Sequence, residues 1–353
     1  MKTSCCLLLL GFSQISFALE PLIAHIDIDS RFDVATNQWT WKLIANGVDK
    51  NPELSYMPGR DLPSGPTAAR TGERHVRPTS SAWDFLGVAS GQNVWIFTQL
   101  NNHYAWLGFH DTQLSFTQAL QIRLHSVEGP AGGVFSLYNT STSVLLNSND
   151  GISSADVFSK PQSHAHMNWA FSKKGMWRIS LTVQGFLGSN QSNPSAISAP
   201  VPLYFAIGDR AQWRASQFTG DQVMNDELAG DLADPDSDGI CNLLEYAFGG
   251  NPLSSSQSSV EHFGPILPKV SITEVGLERF MQIQFYRRIS SSNPEASYNV
   301  EWNSSLQPET WHTGGVIVST SSISSKWELV VVRDSQSISQ ATNRFVRVRV
   351  TGL

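Results

Sequence analysis

Met176-Trp-Arg-Ile-Ser-Leu-Thr-Val-Gln184 is a short apolar run closed by the turn-rich stretch Gly185–Pro194 and followed by a second run, Leu203–Ile207. That texture repeats upstream, in Asn93–Gln99, Leu120–Val127, Gly133–Asn139 and His164–Phe171. Glu128-Gly129-Pro130 and Asn147–Gly151 separate the runs with good turn chemistry. Short strands at such spacing, without helical periodicity, predict an antiparallel β-sandwich. Residues 23–46 extend it toward the N-terminus, because Ile23, His25 and Asp27, then Trp39, Trp41 and Leu43, repeat every second residue. Residues 47–81, rich in Pro, Gly, Arg and Ser, read as a long loop.

Past Asp209 the pattern changes. Asp221–Leu232 is helix-compatible, an acidic loop follows, and Leu243, Leu244, Tyr246 and Ala247 resume a helix that Gly249-Gly250 and Pro252 stop. Ser254–Ser259 reads as a linker. Lys269–Thr273, Phe280–Tyr286, Ser297–Trp302, Gly315–Ser319, Trp327–Val332 and Arg344–Val350 then read as strands of a smaller sandwich. The expected fold is mainly β: two antiparallel β-sandwich-like domains, 19–209 and 266–353, joined by a helical calcium-binding segment at 210–253 and a linker at 254–265.

Lys2, the apolar Cys5–Phe12 and Ser16-Phe17-Ala18 make residues 1–18 a secretory signal peptide cut after Ala18. No later stretch is long and apolar enough to span a membrane. Cleavage leaves Cys241 as the lone cysteine, so no disulfide framework exists within the mature chain. The net charge of −6 becomes one unit more negative on cleavage, and no Lys/Arg run remains to meet phosphates. Nucleic acid is therefore excluded as an expected partner. An exported protein, extracellular, at the cell surface or periplasmic, is the expectation.

Asp234-Pro-Asp236-Ser-Asp238-Gly239-Ile240-Cys-Asn242-Leu-Leu-Glu245 places acids at positions 1, 3 and 5 of a twelve-residue loop, Gly at 6, Asn at 9 and Glu at 12. Calcium takes six to eight oxygens, and this EF-hand-like spacing wraps one ion with short chain. Asp234, Asp236, Asp238, Glu245 and Asn242 would supply side-chain oxygen and Ile240 its carbonyl. With one loop rather than a pair, the expected role is structural.

Seven of the nine histidines precede Asp209. His25 with Asp27, and His164 with His166, stand two apart, and residues two apart on a strand share a face. Neighbouring strands would then offer three imidazoles and one carboxylate, a set suited to zinc and also to manganese, iron or copper. The spacing equally fits a polar strand surface. His103 and His110, near Trp106, could add ligands or line a pocket but read rather as ordinary loop residues, and His75 and His125 have no partner legible in sequence. Trp83, Trp95, Tyr104, Trp106 and Trp169 give an alternative, a carbohydrate-binding or adhesive module that stacks sugar rings. No nucleophile elbow, zinc-protease helix, phosphate loop or dinucleotide fingerprint is present, so the expected function is non-enzymatic.

Several segments together carry a resemblance. Ala24-His25-Ile26-Asp27, Ala82–Gly87, Val94-Trp95 with Gln99, Trp106–Phe109, Val127–Pro130, His164–Trp169 and Phe205–Asp209 resemble the bacterial choice-of-anchor M family, the surface-anchored protein domain, over residues 23–209. The resemblance implies a secreted β domain held at the cell surface by varied C-terminal anchors. It also implies kinship with components encoded beside metal-uptake transporters, with the family's His-x-Asp and His-x-His falling on His25, Asp27, His164 and His166. Trp213–Pro252 is similar to calcium-binding junctions of secreted proteins from Verrucomicrobia and related bacteria, and to dockerin and thrombospondin type 3 loops. Tyr298–Trp311 resembles the β module that follows such junctions. The chain departs from an anchored pattern in lacking a sortase motif or terminal apolar helix, which leaves release or an unknown route of attachment.

Overall fold

The computed structural model describes residues 18–62, 73–100, 105–110, 120–160, 163–187, 193–259, 261–262, 264–289, 295–307, 310–340 and 343–352. The signal peptide, His103 and Tyr104 lie outside the described residues, except for Ala18. The chain is mainly β, built as several sheets with short helical segments. Among the described residues, no helix is long and apolar enough to cross a membrane.

A six-stranded sheet runs in the order Glu20–Pro21, Ser55–Gly59, Val201–Ile207, Gly175–Gln184, Leu120–Glu128, Val157–Lys160. One five-stranded sheet orders Ser143–Asn147, Phe135–Thr140, Asn168–Phe171, Asn93–Phe97 and Arg74–Val76. A second five-stranded sheet orders Ala165–His166, Trp106–His110, His25–Asp33, Gln38–Ala45 and Val48–Lys50. The inner faces of all three meet in one core, where Ile26, Ile28, Leu107 and Phe109 pack with Phe97, Trp169, Trp177, Leu181 and Phe205. Burying each such side chain stabilises by roughly 1.5–3 kcal/mol, so the alternation that sends Ile26 and Ile28 inward fixes His25 and Asp27 on the opposite face.

Three pairings are parallel, against the antiparallel expectation: Glu20–Pro21 with Ser55–Gly59, Ser55–Gly59 with Val201–Ile207, and His25–Asp33 with Trp106–His110. Parallel neighbours need a long crossover, and the residues between Asp33 and Trp106 supply one. Residues 47–81, expected as one long loop, include the strands Val48–Lys50, Ser55–Gly59 and Arg74–Val76 among the described residues. Ser55–Gly59 is a strand inside the six-stranded sheet even though it contains Pro58 and Gly59.

Helices Asp209–Gln217, Gly220–Met224 and Asp226–Ala229 put Ala211, Ala215, Phe218, Val223 and Ala229 against Tyr56, Met176, Tyr204 and Ala206, on the outer face of the six-stranded sheet. Thr219 N–H donates to Gln222 Oε1 at 3.2 Å and closes the first turn of the second helix. Helix Asn242–Phe248 stops at Gly249, where φ is 72°, a left-handed cap that glycine adopts without strain.

A four-stranded sheet (Lys269–Val275, Glu278–Arg288, Trp327–Ser337, Val316–Ser322) and a three-stranded sheet (His312–Thr313, Ala296–Asn303, Phe345–Gly352) follow. Ile283, Phe285, Trp302, Val330 and Val332 form their core together with Ile240 and Phe248 from the preceding loop and helix. Arg288 lies over the rings of Tyr246 (4.2 Å) and Trp327 (4.6 Å) and donates to the Tyr246 carbonyl at 2.9 Å. Residues 254–258 are exposed, and the serine-rich stretch is held at its end: buried Ser259 donates to the Gly249 carbonyl at 2.6 Å, and beyond it His262 stacks on Tyr286 at 4.2 Å.

Candidate metal centre

Strand register builds a grid on the outer face of the second five-stranded sheet. His25 stands opposite Trp106, Asp27 opposite Gly108 and Asp29 opposite His110, while Gly108 on its other side faces His166. His164 immediately precedes the strand Ala165–His166 and brings its Nε2 to the same centre. The three strands therefore deliver His25, Asp27, His164 and His166 to one place, with all four donor atoms within 4.8 Å of one another.

His25 Nε2 lies 3.2 Å from His164 Nε2, 3.2 Å from His166 Nε2 and 3.2 Å from Asp27 Oδ1. His164 Nε2 lies 2.7 Å from Asp27 Oδ1. Bonds of about 2.0–2.1 Å in tetrahedral geometry put neighbouring ligands about 3.3–3.4 Å apart, close to the three 3.2 Å separations and longer than the 2.7 Å one. Asp27 Oδ1 is buried without accepting a hydrogen bond. Three imidazole nitrogens and a carboxylate oxygen so placed repel through their lone pairs unless protons or a cation lie among them.

The supporting contacts suit ligation. His166 Nδ1–H donates to the Leu107 carbonyl at 2.8 Å, since a carbonyl can only accept, and this leaves the Nε2 lone pair directed at the centre. Burial is the largest influence on this ring and holds its pKa below the usual histidine value, in the neutral form that ligates. Trp106 stacks on His166 at 3.8 Å and 6°, and is itself held by donating Nε1–H to the Gln99 carbonyl at 3.0 Å. Gly108 makes room for the stack: a methyl group there would stand 2.7 Å from His166 Cε1.

Asp29, Arg31 and His110 adjoin the centre, and sequence reading did not single them out as a group. Asp29 is fully buried and accepts Arg31 Nε–H at 2.6 Å; His110 Nδ1 approaches its other oxygen at 3.8 Å. His110 ends a strand instead of lying in a loop, and its ring meets that of His164 edge-on at 5.7 Å. The two-residue spacing of Asp27 with Asp29, and of Trp106, Gly108 and His110, was the available signal.

The acidic loop is also organised. Asp234, Asp236 and Asp238 gather their carboxylates within 4.8 Å. Asp234 accepts from the N–H groups of Asp238 (3.2 Å) and Gly239 (2.9 Å), and Asp238 accepts from Ile240 N–H at 2.8 Å. Gly239 has φ 89°, which answers the need for a sharp turn. Ile240 sends its side chain into the last core.

Glu245 lies outside the group of three but feels it. It is fully buried, neither oxygen accepts a hydrogen bond, and burial followed by the charges of Asp238, Asp236 and Asp234 pushes its pKa up to about 7. Asn242 has a second role that the motif did not predict. Its amide donates to the Leu228 and Gly230 carbonyls, each at 2.9 Å, while its Oδ1 has no partner.

The proposed sugar platform does not assemble from its described members. Trp169 is fully buried, Trp95 is buried beside it in the core, Trp83 packs on Phe85 and Tyr138, and Trp106 is committed to His166. His125 is exposed on its strand, and His75 lies on Arg74–Val76, away from the four clustered ligands. No family model matches this chain, and no curated protein matches it.

Proposed function

We propose that this chain is an exported, non-enzymatic bacterial protein that holds a divalent transition metal at His25, Asp27, His164 and His166, and a structural calcium ion at Asp234–Glu245. In this reading the first three large sheets form one β-sandwich-like domain and the last two form a smaller one. The helical segment between them is a calcium-stiffened joint.

One observation carries the metal reading: three Nε2 atoms and Asp27 Oδ1 converge within 4.8 Å, three of their separations standing at 3.2 Å, near the edge of a tetrahedral shell. Neutral imidazoles with one carboxylate suit zinc, manganese, iron or copper better than calcium. The calcium reading is supported by buried Glu245, whose unpartnered oxygens sit in the field of three aspartates. A hard cation would neutralise that field and complete the oxygen shell. Residues 1–18 and the resemblance to surface-anchored domains support action outside the cytoplasm, among cell-surface components.

Metal analysis of protein purified without an affinity tag tests this. One equivalent of transition metal is expected, lost in His164→Ala. Absence of a stoichiometric metal, or its full retention in that variant, overturns the reading.

A further inference from the structure

We propose that the four-ligand centre expands to take a fifth ligand, a small oxyanion, on its solvent side, and that His110 donates a hydrogen bond to that anion. This rests on the metal reading above and adds a ligand class to the same site.

The first argument is access. The side chains of His25 and His164 are 34% and 38% exposed, whereas that of Asp27 is 14% exposed. Water therefore reaches the centre past the imidazoles, with the carboxylate behind. The second argument is charge. Three neutral imidazoles and one carboxylate around a divalent cation leave one positive charge, and a monoanion on the open side cancels it. A position facing solvent and carrying residual positive charge selects small anions with oxygen donors.

The third argument is the place of His110. It stands on the same strand face as Gly108, which pairs with His166, and its ring meets His164 edge-on at 5.7 Å and 87°. The three ligand rings themselves lie 4.6–5.0 Å apart, and beyond them His110 is the next imidazole. Its Nδ1 edge is turned toward Asp29, which Arg31 holds at 2.6 Å. Nδ1 is buried without a hydrogen-bond partner, which leaves Nε2 as the other nitrogen of a ring that is 34% exposed. A donor in that position touches a molecule on the open side without being a fourth imidazole of the shell.

Cobalt(II) is the probe, because its visible d–d bands report changes in coordination. The full chain loaded with one equivalent is titrated with azide, then challenged with phosphate. The expected result is a saturable spectral change with azide, reversal by phosphate, and azide binding at least fivefold weaker in His110→Gln at unchanged cobalt stoichiometry. A spectrum that azide leaves unmoved overturns the fifth position, and His110→Gln binding azide as tightly as the parent overturns the role of His110. Failure of phosphate to compete overturns the oxyanion class. If cobalt does not bind stoichiometrically at all, the centre itself falls, and this inference with it.

Discussion

Gly108 and His166 face each other across neighbouring strands, and the imidazole of His166 occupies the space that a side chain at Gly108 would need. Gly108→Ala would push the ring off Trp106 and move Nε2 away from its three partners. Loss of comparable outer-shell support costs roughly 10–100-fold in metal affinity. We expect a loss in that range, measured by competition against a chromophoric chelator, with the circular dichroism of the metal-free protein unchanged. Unaltered affinity would mean that His166 is not a ligand.

Acid should release the transition metal. Each imidazole must be neutral to ligate, so protons compete with the ion, and affinity should fall steeply below about pH 6. Calcium should weaken over the same range, because Glu245, whose pKa is pushed up to about 7, must lose its proton to ligate. Equilibrium dialysis at graded pH, followed by metal analysis, reads both ions at once.

Glu245→Gln separates the two faces of the calcium loop. Without calcium the change removes a buried carboxylate that lies among like charges and has no hydrogen-bond partner, so thermal stability in a chelator should rise. With calcium present it removes a charged oxygen ligand, and calcium affinity should drop at least tenfold. Titration calorimetry and thermal melts in chelator check the pair of outcomes. In the parent, chelation should expose the segment around Asp234–Glu245 to protease while the sheets containing Trp169 and Phe205 stay folded.

His262 gives the last sheets an acid-side weakness. Its Nε2–H donates to the Phe248 carbonyl at 2.8 Å, its Nδ1 accepts from Gly264 N–H at 3.2 Å, and burial lowers its pKa. The unfolded chain takes up a proton below about pH 6.5 while the folded ring stays neutral. The stabilisation is thus full above that pH and is lost as pH falls toward the depressed folded value. His262→Gln, which cannot charge, should be less stable at pH 7.5 and show a shallower loss between pH 7 and 5 in denaturant titrations.

Sequence reading found the pairs His25–Asp27 and His164–His166 because strand periodicity alone sets which residues share a face. It could not foresee their neighbours. Asp29 and His110 meet the centre only through the parallel pairing of His25–Asp33 with Trp106–His110, a contact made across a long crossover that no local pattern records. Ser55–Gly59 was hidden for a related reason: Pro58 and Gly59 signal a break locally, yet pairing with Val201–Ile207 makes the segment a strand. The gathering of Asp234, Asp236 and Asp238 was legible because their two-residue spacing around Gly239 sets which carboxylates the turn brings together. The turn of Asn242 back to Leu228 and Gly230 depends on where the preceding helix ends, which spacing does not encode.

Anomalous diffraction from zinc-soaked crystals shows whether one ion sits among the four named atoms. The account predicts a peak at the zinc edge about 2.0–2.2 Å from His25 Nε2, His164 Nε2, His166 Nε2 and a carboxylate oxygen of Asp27. Crystals with zinc ordered elsewhere and no peak among those four atoms would contradict it.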